Sequence, residues 1–398
     1  MPTTITRLPS LDGLRGLAAL TVVLGHARLI LLADPALALP GLHQLSEGVG
    51  TVGNKAVWLF FVLSGLVLTR FATGRPGFDY GAYLLSRLAR LYIPVWAALA
   101  FTALSILIVP RAANLGLGQW IDAHPPGITP AGLVADATLV AGTSGTLSPL
   151  WTLQWEVLFS LLLVLYITVL RRVPPVAGVG LGIALATLGA CIGSEILLYL
   201  PMFAIGVALA LGWPRLSALA RRLRSKGGRR IRDHPTPTTP SGSTPIPTLA
   251  ATFVMAAGIA LAVALCSLGS ILRGSGLDAG WLTIVDTASA LAGVTLVVVL
   301  VGLAPVLIRV FTSRPLHWLG AISFSIYLVH EPILVGAVRL FGTAPSTVLI
   351  ALLLCFPAAA LFARFVERPA HRFSQSLRRS PAPTRQDIPL SAPQNGTS

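Results

Sequence analysis

The chain has 398 residues, 54% of them hydrophobic and 11% charged, with a mean hydropathy of +0.79. A soluble domain carries about 25% charged residues, so this sequence cannot cover a water-facing surface, and a soluble enzyme is excluded. The apolar stretches also outrun the roughly ten alternating residues of a barrel strand, which leaves an all-α, polytopic helical membrane protein. The formal charge of +15 does not point to nucleic acid, because the Lys and Arg residues sit mostly in short gaps between apolar segments. The three cysteines, Cys191, Cys266 and Cys355, fall inside apolar segments and offer neither a disulfide framework nor a metal-ligand spacing.

About 20 apolar residues cross a bilayer core. On that criterion ten spans are expected, near 14–33, 55–72, 91–110, 150–170, 175–193, 195–213, 249–272, 282–305, 318–340 and 345–365. The fifth is short and Gly-rich. Of the 29 Lys and Arg residues, 24 fall in one set of alternating gaps and 5 in the other, so the positive-inside rule puts both termini in the cytoplasm. Ala36-Leu37-Ala38 imitates a signal cleavage site, but Arg15, His26 and Arg28 interrupt the apolar region before it, so the first span is expected to be retained. Residues 1–373 read as one membrane domain. It carries a disordered cytoplasmic linker at 214–248, basic and then rich in Pro, Thr and Ser, and is followed by a disordered tail at 374–398. The outward gaps 34–54 and 111–149 are long enough for a substrate-facing cap.

Ionisable residues at membrane depth usually mark function. Arg15 and His26 stand eleven residues apart on the first span, which is about three helical turns and about 16 Å of rise on one face. The residues fit two readings: a topology-setting Arg with a satisfied interior His, or an Arg at the cytoplasmic lip below a working imidazole. Counting along spans of alternating direction brings His26, His330 and Glu156 to similar depth, with Glu331 beside His330 and Asp286 higher. Two imidazoles and a carboxylate suit a general base with an orienting partner, or else hydrogen bonds that pack the helices. At the cytoplasmic edge Arg87 and Arg90 share a helical face. With Arg70 they suit a clamp on an anionic cofactor, or serve as topology signals. Ser64-Gly65 offers a small-residue gap for an extended ligand.

The residues themselves resemble a known family. Leu11-Asp12-Gly13-Leu14-Arg15 through Leu24-Gly25-His26 is similar to the Arg-x10-His signature of acyltransferase family 3, the bacterial membrane O-acyltransferases. Phe60-Phe61-Val62-Leu63-Ser64-Gly65 resembles its Phe-Phe-x-x-Ser-Gly segment, and Arg87-Leu88-Ala89-Arg90 its Arg-x-x-Arg element. Leu150-Trp151-Thr152-Leu153-Gln154-Trp155-Glu156, Phe324-Ser325-Ile326-Tyr327-Leu328-Val329-His330 and Glu367-Arg368-Pro369 resemble three further segments, in family order. The sequence departs from the pattern at Thr152, where Ser is usual, at Leu66, where Phe is frequent, and in holding one acidic residue at Glu156 where many members hold two.

The resemblance implies transfer of an acyl group, commonly acetyl, from cytoplasmic acyl-CoA, a donor substrate rather than a resident cofactor. The acceptor implied is a hydroxyl on a polysaccharide, a lipid-linked sugar or a glycosylated small molecule across a bacterial cytoplasmic membrane. His26 is then the expected base, with Glu156 and His330 as the other catalytic residues. Arg15, Ser64, Arg70, Arg87 and Arg90 are expected around the CoA. Trp120, His124, Trp151 and Trp155 offer a sugar-stacking surface. No metal is expected. The competing reading is a proton-coupled secondary transporter using His26, Glu156 and His330 as a relay; it wants inverted repeats or broken helices, and the sequence displays neither.

Overall fold

The computed structural model describes residues 8–32, 40–74, 77–111, 116–140, 142–229 and 249–378. In chain order the helices are α1 (Pro9–Leu31), α2 (Pro40–Thr73), α3 (Tyr80–Ile108), the short α4 (Gln119–Asp122) and α5 (Pro130–Thr138), then α6 (Leu150–Leu170), α7 (Pro175–Ile192) and α8 (Glu195–Arg229). They continue with α9 (Leu249–Leu272), α10 (Ala279–Leu303), the short α11 (Pro305–Phe311) and α12 (Arg314–Ala321), α13 (Ser323–Phe341), α14 (Pro345–Phe362) and α15 (Arg368–Ser376). Among the described residues ten helices are long and apolar enough to cross a membrane: α1, α2, α3, α6, α7, α8, α9, α10, α13 and α14. The protein is a multi-pass integral membrane protein, and all ten expected spans coincide with helices.

The boundaries follow local chemistry. Proline, whose missing N–H is no loss in a first turn, opens α1, α5, α7, α11, α12 and α14. Asp79 and Asp278 cap α3 and α10 by accepting from Ala82 N and Trp281 N, both at 3.0 Å. Gly193, in the left-handed region at φ 69°, ends α7 and lets the chain turn into α8.

The elements depart from the sequence expectation in five places, the first being α2, which starts at Pro40 rather than near 55 and so takes up most of the outward gap expected at 34–54. Helix α3 starts at Tyr80 rather than near 91, because the Asp79 cap and the buried Tyr83 and Ser86 extend it below the apolar run. Helix α8 continues past Pro214 to Arg229, so the first part of the expected linker is helical; its Leu and Ala residues between arginines are good helix formers. Residues 230–248, and the tail from 379, lie outside the described residues. The ninth span is broken at Ile322: α12 is a separate amphipathic helix, and the crossing starts at Ser323. The last span runs from α14 through a π turn at Ala363–Glu367 into α15.

Helix α1 is the hub. It packs on α2, α10, α13 and α14, and its first turns lie against α11 and α12. There the backbones nearly touch, because a Cβ on Gly16 would run into Gly320 and one on Gly320 into Asp12. Helices α2 and α8 cross just as closely. A methyl at Gly65 would meet the carbonyl of Phe203, and one at Gly206 that of Val62. The expected ligand gap at Ser64-Gly65 is therefore closed by α8. Phe61, Phe159 and Phe203 stack in the core beside this crossing, with ring centroids 4.4 and 4.8 Å apart.

Candidate active site

The two histidines meet. His26 on α1 and His330 on α13 place Nδ1 and Nε2 2.9 Å apart, with their rings stacked. His330 is fully buried, and its Nδ1 lies 3.0 Å from the carbonyl of Ile326, one turn earlier on α13. A carbonyl only accepts, so His330 Nδ1 carries the proton, and in the neutral ring Nε2 is then an acceptor. His26 Nδ1 must therefore donate to it, which leaves the lone pair of His26 on Nε2. Among the described residues no hydrogen bond occupies that nitrogen. The pair thus keeps one ring nitrogen without a hydrogen bond from the described residues, and a backbone carbonyl two links away decides which nitrogen that is.

Glu156 lies elsewhere. Its carboxylate accepts from the Ser64 hydroxyl at 2.5 Å and forms an ion pair with Arg87, whose Nε reaches the Ser160 hydroxyl at 3.4 Å. The expected convergence is therefore one of two imidazoles, with the carboxylate tied to Arg87 and Ser64 instead. Glu156 and Arg87 line a cavity of about 390 Å³ at the arginine-rich end of the bundle. Arg15 and Arg90 line it too, with Arg368 and Arg372 from α15 and the carboxylates of Asp12 and Glu367. Glu367 is held by the Ser325 hydroxyl at 2.6 Å. Arg15 and Arg90 make no hydrogen bond or ion pair with any described residue, so their donors face the cavity. Arg70 is not among the lining residues; its guanidinium lies over the ring of Trp213, 5.8 Å from the centroid.

Between cavity and imidazoles stands Tyr327. Its ring lines the cavity, its hydroxyl is 2.9 Å from Thr152 Oγ1, and its centroid is 6.2 Å from that of His330. Thr152, the departure from the usual Ser, thus keeps the hydroxyl that this contact uses. Since α1 is unbroken, Arg15 in the cavity and His26 beyond it are about 16 Å apart along one face.

On the other side of His26 lies the segment between α3 and α6. Trp120, on the one-turn α4, stacks on the His26 ring at 4.7 Å between centroids and 25° between planes. The fully buried Glu331 beside His330 accepts from Ser148 N at 2.8 Å and from the Ser148 hydroxyl, and lies 3.0 Å from His124 Nε2. His124 Nδ1 in turn is 2.8 Å from the Trp120 carbonyl. Arg111 donates to the Thr146 carbonyl at 3.0 Å, and its burial lowers the pKa of the guanidinium below the usual value while the Glu331 charge opposes the shift. Trp151 and Trp155 are not at this surface; they sit in α6 and pack on Tyr199. Sequence reasoning placed Glu331 beside His330 but gave it no partner, since Ser148 is 183 residues away. It also missed Tyr327 as the divider and the ion pair of Lys55 with Asp286, 2.8 Å long, which crosses from α2 to α10.

A family model for acyltransferase family 3, described as an acyltransferase domain, matches residues 8–364. Over 175 residues, 44% of this chain, the sequence is 29% identical to the acyltransferase MdmB of Streptomyces mycarofaciens. The match spans 43% of that protein's length. No solved structure matches the chain.

Proposed function

Because the chain belongs to acyltransferase family 3, and is therefore a membrane-bound acyltransferase, we propose that it carries an acyl group, acetyl first among them, from cytoplasmic acyl-CoA to a hydroxyl on the opposite side of a bacterial cytoplasmic membrane. The acceptor class is a glycan or another glycosylated molecule. The observation that carries this reading is the order along α1: an arginine-lined cavity at one end and, about three turns on, an imidazole with its Nε2 lone pair unclaimed.

The cavity end is the donor end. CoA is a polyphosphate head on a long thin arm, and guanidinium groups bind phosphate through charge-assisted, often paired, hydrogen bonds. Arg15 and Arg90, unspent on protein partners, take the phosphates, with Arg368 and Arg372 around them. Arg87 is held by Glu156 and shapes the wall. The pantetheine arm passes Tyr327 toward His26. At the other end His26 Nε2 takes the proton of the acceptor hydroxyl as its oxygen bonds to the thioester carbonyl carbon. The carbon–sulfur bond then breaks, the ester forms, and the proton returns from His26 to the departing thiolate. His330 holds His26 in the competent tautomer and spreads the imidazolium charge. The relay reading of the same residues loses its support, because an enzyme family is assigned and Glu156 is bonded to Arg87 and Ser64.

Binding of acetyl-CoA to the purified protein in nanodiscs, followed by calorimetry, tests the donor end. Arg15→Ala with Arg90→Ala is expected to weaken binding by at least about tenfold, the effect of losing one or two charge-assisted contacts. Arg70→Ala is expected to change it less than about twofold. Equal affinity for wild type and double variant would remove the cavity as the CoA site.

A further inference from the structure

We propose that Glu367 binds the arm of the donor rather than its phosphates: its unclaimed carboxylate oxygen accepts a hydrogen bond from an amide N–H of pantetheine. The inference rests on the reading of the arginine cavity as the CoA site, and it names the part of the donor that this one residue holds.

A carboxylate in a cavity that takes phosphates needs a reason, since it repels them. Asp12 and Glu156 are both partnered, Glu156 by Arg87 and Ser64. Glu367 has the Ser325 hydroxyl, 2.6 Å from its Oε2. Among the described residues no Arg, Lys or His nitrogen lies within ion-pair distance of it, although Arg15, Arg90, Arg368 and Arg372 line the same cavity. Its Oε1 accepts no hydrogen bond from them and is not one of the enclosed polar atoms. An ionised carboxylate only accepts, so this oxygen suits an N–H or O–H donor, which an ionised phosphate lacks. The chain reaches this position through the π turn at Ala363–Glu367. Its extra residue shifts the facing of all that follows, and such turns are frequent at functional sites.

Depth decides which part of the donor this is. The Ser325 hydroxyl holds Glu367 at the level of α13 five residues before His330, about 7.5 Å of rise below the imidazoles. Arg15 lies about 16 Å below His26 on α1. Glu367 thus stands between the base and the lowest arginine, on the course of the arm. In acyl-CoA an extended arm places its second amide nitrogen about 8 Å from the thioester sulfur, by the reach of an extended chain. With the sulfur at the histidine pair, that N–H falls at the level of Glu367. The cavity also offers the apolar wall that methylene groups need, in Phe60, Leu91, Leu153 and the ring of Tyr327.

The consequence is a split between arm and head. Removing the carboxylate takes a negative charge out of the cavity, which favours phosphate. It also takes the acceptor from the amide N–H, which costs the arm a charge-assisted hydrogen bond. One substitution therefore acts oppositely on the two parts of the donor, which general damage to the fold does not do.

The experiment measures, by calorimetry on the full-length protein in nanodiscs, the affinities for acetyl-CoA and for adenosine 3′,5′-bisphosphate, which carries the nucleoside and phosphates but no arm. Glu367→Ala is expected to weaken acetyl-CoA binding roughly tenfold, the effect of losing one hydrogen bond to a charged group, and to leave the bisphosphate unchanged or bound more tightly. Glu367→Gln, which keeps an acceptor beside Ser325 and so spares the fold, is expected to weaken acetyl-CoA about threefold, a neutral acceptor being about half as strong. Arg15→Ala with Arg90→Ala is expected to weaken both ligands. Acetyl-CoA affinity unaltered in Glu367→Ala and Glu367→Gln overturns the proposal. A parallel loss of both ligands in Glu367→Ala places the carboxylate at the nucleoside and overturns it as well. Binding of neither ligand by the wild type overturns the CoA reading beneath it, together with the proposal.

Discussion

Two protons decide what the histidine pair can do. The Ile326 carbonyl fixes the His330 proton on Nδ1, which fixes the His26 proton on Nδ1 and exposes Nε2. His26→Ala is expected to lower acyl transfer by about 10²–10⁴-fold, the usual contribution of a general base, while acetyl-CoA binding stays unchanged. His330→Phe removes the acceptor that selects the His26 tautomer; kcat is expected to fall by about ten- to a hundredfold with little change in donor KM. Steady-state kinetics of both variants checks this. Glu156 and Arg87 form a different kind of pair, with side chains 12% and 11% exposed. Glu156→Ala strands the guanidinium and is expected to cost about 3 kcal/mol of stability, read as an earlier unfolding transition in detergent. Glu156→Gln should cost less, since it still accepts from Ser64. The histidines were legible in the sequence because an imidazole inside an apolar run is conspicuous. Their pairing and the Ser64–Glu156–Arg87 set were not, since depth along a helix says nothing of rotation around it.

At the scale of helices, the close crossings control where the site residues stand. Helices α2 and α8 touch backbone to backbone at Gly65 and Gly206, which brings Ser64 within reach of Glu156 on the cavity wall. Gly65→Ala or Gly206→Ala forces the helices apart and is expected to lower stability by about 1–3 kcal/mol; thermal unfolding in detergent measures it, with Gly180→Ala, where a Cβ meets nothing within 4 Å, as the neutral comparison. Ten crossings were readable because lipid demands about 20 apolar residues for each. The same rule misplaced the edges. It cannot see an amphipathic entry such as the first turns of α3, where Arg87 lies, and it merged α12 with α13 because Trp318, Leu319 and Ile322 continue the apolar count. The cap was legible only as a long gap. Its fixation by buried Arg111 and Glu331, and by buried Asp136, which accepts from Ser144 N at 2.6 Å, depends on contacts that no periodicity encodes.

For the molecule as a whole, the arginine cavity sits at one end of α1 and the histidine pair with its cap toward the other. The proposal requires these ends to face opposite compartments. In a cysteine-free background, Arg171→Cys, between α6 and α7, is expected to react with a membrane-impermeant maleimide only in inside-out vesicles. Gly274→Cys, between α9 and α10, is expected to react only in right-side-out ones. Equal labelling of either site from both sides would contradict the assigned direction. In the proposed function His26, served by CoA in the arginine cavity, performs transfer across the bilayer. The most direct measurement supplies radiolabelled acetyl-CoA to the outer face of inside-out vesicles of cells expressing the protein and follows label into the glycan or glycosylated fraction. Label is expected to appear with wild type, to vanish with His26→Ala, and to fall steeply with Arg15→Ala combined with Arg90→Ala. Undiminished labelling with His26→Ala would contradict the account.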